Sequence, residues 1–106
     1  MRPIFNRETV LTAIMQAVQD RGYYHVGPCG MLTDKNGEHC LVGEVLARTG
    51  TGIRPTDCGG HHTAMAILQR SCPTVEKPAQ LTEMFKQIMI KQDRGECWGE
   101  ILDGLY

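Results

Sequence analysis

Apolar residues recur at helical spacing in several stretches of the chain, and the segments between them carry the turn-forming residues. Val10, Leu11, Ile14, Met15 and Val18 share one face of a helix over roughly residues 7–21, with Gln16, Gln19 and Asp20 opposite. Asn6 is its predicted N-cap, Glu8 suits the positive end of the helix dipole, Phe5 is placed to staple onto Val10, and Gly22 supplies the stop. Nine of the twelve glycines then fall between Gly22 and Gly60, which marks a turn-rich middle. Within it, Tyr23-Tyr24-His25-Val26 has strand propensity, Gly27-Pro28-Cys29-Gly30 reads as a turn, and Met31-Leu32-Thr33 is the expected antiparallel return. Asp34-Lys35-Asn36-Gly37 forms a second turn, with Asn36 as a cap for a short helix that carries the narrow stripe Leu41, Val42, Val45 and Leu46 to a stop at Gly50.

The segment from Thr51 to His62 has no periodicity and leads to a third helix over roughly residues 63–72, which Pro73 ends. Leu81, Met84, Phe85 and Ile88 form a strong stripe on a fourth helix reaching about Asp93. Ile90 breaks that pattern: at 100° per residue it lies about 180° from Leu81, among Glu83, Lys86 and Gln87 on the polar side. Trp98, Ile101, Leu102 and Leu105 fit a last short helix. The expected fold is one α+β domain, four to five short helices around one core with a small two-stranded β-hairpin between the first and second helices.

Composition narrows the function classes without selecting one. In 106 residues, 42% hydrophobic and 22% charged, the formal net charge is −1, so electrostatics offers no reason to expect nucleic acid or an anionic membrane as partner. Lys and Arg are dispersed instead of concentrated on one helix, which also argues against nucleic acid. The apolar runs are too short to span a bilayer, and the segment after Met1 turns polar at once, so a cytoplasmic location is expected. Five cysteines, an odd number, argue for reduced thiols over a disulfide framework.

Arg21-Gly22-Tyr23-Tyr24, the run Asp34-Lys35-Asn36-Gly37-Glu38-His39-Cys40-Leu41-Val42-Gly43-Glu44-Val45-Leu46, and Trp98-Gly99-Glu100-Ile101-Leu102 follow one another in a recognisable order. They resemble a family of small uncharacterised actinobacterial and bacteriophage proteins with a Gly-aromatic step, a D-x-x-G turn and a C-L-x-G helix. The chain departs from that pattern at Glu44, where alanine is frequent, and in its Cys58-Gly59-Gly60-His61-His62 loop. The resemblance implies a phage or accessory-genome protein and brings no catalytic residue with it.

Two chemical constellations compete with a packing role for the cysteines. Cys40, near the start of a helix, is a candidate nucleophile with His61 or His62 as base, although no orienting Asn or Asp stands beside either histidine. Cys58 and His61, with two residues between them, are candidate zinc ligands completed by Cys29 and Cys40, with His39 as a further choice; this second pair lacks the C-x-x-C spacing of a zinc finger. The remaining features favour a non-enzymatic protein-interaction module without a cofactor. Met89 and the off-face Ile90, with Lys86 beside them, and the pairs Tyr23/Tyr24 and Trp98/Tyr106, are of types that make adaptable contacts with a protein partner or a second copy.

Overall fold

A computed structural model describes residues 5–27, 38–49, 61–71 and 74–105, without the side chains of 61–63 and 71. Five helices follow in order: α1 (Arg7–Arg21), α2 (Leu41–Arg48), α3 (His61–Ser71), α4 (Pro78–Asp93) and α5 (Trp98–Asp103). The expected α+β class is overturned, because the described residues contain no strand, and Tyr23 and Tyr24 form a turn followed by irregular backbone. The proposed return strand, Met31-Leu32-Thr33, lies outside the described residues. The physical reason is visible in the backbone. The carbonyls of Tyr23 and His25 accept the N–H groups of Gly99 and Trp98, at 2.8 and 2.9 Å, so this segment pairs with the start of a helix. Phe5 and Val75 form an isolated parallel bridge that ties the entry of α1 to the entry of α4.

Local signals explain most helix ends. Asn6 Oδ1 accepts from the backbone of Thr9 at 3.0 Å, and Gly22 takes a positive φ of 98° at the other end of α1. Pro78 opens α4, and Gly95 (φ 80°) follows its last turn. The cap of α2 differs from expectation: Cys40 holds the position assigned to Asn36, which is outside the described residues, and α2 stops at Thr49.

α2 packs on α1, α3 and α4, and all six residues from Leu41 to Leu46 are buried. What the sequence presents as a narrow stripe is therefore the enclosed centre of the bundle, as expected for a helix covered on several sides. The α1 face is also rotated from the predicted one. Ala13 and Ala17 are buried beside Val10, Leu11 and Ile14, whereas Met15 is exposed and Val18 only half-buried. Small alanines let neighbouring helices approach where Met15 would hold them apart. Trp98 is fully enclosed with Phe85, Ile88 and Ile101, and so belongs to the core and not to an exposed aromatic pair; Tyr106 is outside the described residues. No described helix is long and apolar enough to cross a membrane.

Candidate interaction surface

The best-defined surface feature grows from the way residues 22–27 cross the start of α5. The first helical N–H groups have no partners within their own helix, and here the carbonyls of Tyr23 and His25 supply them. Two glycines permit that approach. A Cβ on Gly99 would lie 2.2 Å from the Tyr23 ring, and one on Gly27 would lie 2.9 Å from the Trp98 ring. The His25 ring meets Trp98 edge to face at 4.4 Å, and the Tyr23 hydroxyl donates to Asp103 at 2.6 Å. That bond, with a smaller contribution from burial, pushes the Tyr23 pKa up to about 12. Pinned in this way, the segment presents Tyr24 outward, 81% exposed, with its ring 5.0 Å from that of Tyr23, and leaves Val26 exposed beyond it.

A second apolar feature lies on α4. Leu81, Met84, Phe85 and Ile88 are buried as the periodicity predicts, and Ile90 emerges 37% exposed on the outer face. Met89 is half-buried at the edge of the core, where its sulfur accepts from Gln92 Nε2 at 3.4 Å, and Lys86 is exposed one turn before Ile90. Among the described residues no hydrogen bond or ring contact joins this face to Tyr23 or Tyr24. The predicted contact residues thus occupy two places, α4 and the segment crossing α5.

Cys40 sits in neither place. It is 1% exposed, its sulfur accepts from the backbone of Gly43 at 3.4 Å, and burial pushes its thiol pKa up, against the opposing effect of the hydrogen bonds it receives. A thiol in this setting is protonated at neutral pH and closed to solvent, the reverse of what a nucleophile requires. His61 and His62 open α3, but their side chains lie outside the description, as do Cys29 and Cys58 entirely. Among the described residues no group of three metal-binding side chains assembles.

Two polar residues escaped the sequence reading. Gln92, buried at 8% exposure, accepts from the backbone of Leu41 at 2.5 Å. Its signal was present, since Gln92 continues the Leu81, Phe85, Ile88 face by one further turn. Glu44, 6% exposed, accepts from Arg48 Nε at 2.8 Å, and Arg48 reaches on to Asp20 at 2.8 Å, linking α2 to α1. Glu44 Oε2 is buried without a partner among the described residues. Comparison with protein-family models, curated proteins and solved structures returns no match for the chain.

Proposed function

We propose that the protein is a non-enzymatic protein-interaction module that works by covering part of a partner's surface. The observation that supports this most directly is Ile90, a large aliphatic side chain exposed on the outer face of a helix whose inner face already fills the core. Over a third of it stays in water, and burial against a partner would remove that apolar area from it. Met89 beside it adds an adaptable thioether, Lys86 adds charge at the rim, and the anchored Tyr23 with the exposed Tyr24 offers a second, aromatic contact. The resemblance to actinobacterial and phage proteins makes a phage-encoded modulator of a host protein the fitting biological setting. The enclosed, protonated Cys40 gives no comparable support to a cysteine-dependent enzyme.

The test compares the wild type with Ile90→Lys and with Gln16→Lys, a matched substitution on the exposed side of α1. All three are expected to have the same helical circular dichroism and urea midpoint. Light scattering and affinity capture from a host lysate should show a complex, with a second copy or another protein, that Ile90→Lys loses and Gln16→Lys keeps. Identical association behaviour of the three proteins removes the proposal.

A further inference from the structure

A groove of about 390 Å³ runs between the start of α1, one side of α4 and the turn that follows α5. Its volume falls within the roughly 300–1,000 Å³ range of small-ligand sites. Two cationic side chains from distant parts of the sequence converge at one end. Arg7 Nη2 donates to the Leu105 carbonyl at 2.6 Å, which holds the guanidinium in place. The Lys91 ammonium lies over Gly104, so close that a Cβ there would be 2.0 Å from Nζ. Both heads thus meet the same two-residue turn, and neither has a carboxylate partner among the described residues. Two cationic heads without a carboxylate partner draw an anion to that end of the groove. Among the described lining residues the one acidic side chain, Glu83, is farther along α4, where its Oε1 accepts from Gln87 Nε2 at 3.2 Å.

We infer that this groove binds a small organic monocarboxylate, with its carboxylate between Arg7 and Lys91 and its body over Met84 and Leu105. Among the described lining residues two cations stand against one carboxylate, a balance that a monoanion neutralises and a phosphate dianion would overshoot beside Glu83. The floor selects an organic body, since Met84 and Leu105 are apolar, and the free oxygen of Glu83 and the amide of Gln87 can meet hydroxyl or amide groups on it. Arg7 also matches a planar carboxylate, because the guanidinium keeps further N–H donors beyond the one given to Leu105. The groove borders the Ile90 face through Glu83 and Gln87, but Ile90 itself does not line it.

The test is a backbone-amide NMR titration of the full chain at constant ionic strength with lactate, gluconate and hippurate, against sorbitol as an uncharged control and inorganic phosphate as a competing anion. At least one monocarboxylate is expected to give saturable shifts at Lys91, Gly104 and Leu105, with none from sorbitol and weaker binding of phosphate. Lys91→Gln should weaken that binding about tenfold or more, as loss of a charged hydrogen-bonding partner does. Gly104→Ala, at an ordinary negative φ, should fold normally and produce the same loss by displacing the Lys91 head, while Arg21→Gln, exposed at the far end of α1, should change nothing. Absence of saturable shifts with all three acids, phosphate binding as tight as the best of them, or undiminished affinity in Lys91→Gln would each overturn the inference.

Discussion

The side-chain oxygen of Gln92 lies 2.5 Å from the backbone nitrogen of Leu41, so α4 caps a helix that begins 51 residues earlier in the chain. Cys40 performs the matching task for Gly43, and between them a thiol and an amide satisfy N–H groups that no intrahelical carbonyl can reach. Water is not available to do so, because α2 is buried from Leu41 to Leu46. The amide of Gln92 then turns back to Met89, which fixes its orientation.

Replacing Gln92 by leucine preserves approximate volume and leaves the Leu41 N–H buried without an acceptor. The expected loss is about 1–3 kcal/mol, measured by urea unfolding. A loss well below about 1 kcal/mol would show that the cap contributes little.

The Glu44, Arg48 and Asp20 chain is predicted to be asymmetric. Arg48→Ala strands the buried Glu44 carboxylate, whose second oxygen already has no partner among the described residues, and should destabilise by about 3–5 kcal/mol. Glu44→Ala removes the buried charge and leaves Arg48 its bond to Asp20, so it should cost clearly less. Thermal unfolding of both variants decides the order; equal losses would show that Glu44 contributes chiefly by packing.

Gly99→Ala would drive a methyl group into the Cγ and Cδ2 atoms of the Tyr23 ring, near its attachment to the backbone, where the ring has little room to yield. Overpacking of this kind costs about 1–3 kcal/mol. It should also release the Tyr23 hydroxyl from Asp103, returning the phenol to the ordinary tyrosine range. In the wild type the folded state holds Tyr23 protonated up to about pH 12, whereas the unfolded chain ionises near 10. The contribution of this group to stability is therefore complete below pH 10 and is lost as pH rises from 10 to 12. Ultraviolet titration of the phenolate, with Tyr23→Phe as reference, reads this directly; an ordinary Tyr23 titration would refute the bond to Asp103.

Cys40 should resist alkylation in the native protein at neutral pH and react once urea unfolds the chain, because burial both closes the thiol and raises its pKa. The same sign applies to stability: the buried, protonated thiol favours the fold at neutral pH, and that contribution fades as pH climbs through and beyond the ordinary thiol range. Mass spectrometry after a timed exposure to iodoacetamide is the measurement. Rapid native labelling at Cys40 would restore the nucleophile hypothesis.

The sequence by itself determined the elements whose signals lie within a few residues of each other. The stripe of α4, the Asn6 cap and Gly22 stop of α1, and the outward position of Ile90 all follow from helical spacing and local hydrogen bonding, which depend on neighbours three or four positions away. Only the tertiary structure decided where Tyr23 and His25 would spend their carbonyls, and so that a strand-prone segment became the cap of α5. It alone placed α2 at the centre, brought Gln92 to Leu41, and gathered Arg7 and Lys91 at one turn. These outcomes share one physical cause. Once the helices pack and exclude water, each buried polar group must take whatever partner the folded chain brings near, and that choice is made across distances that no local pattern records.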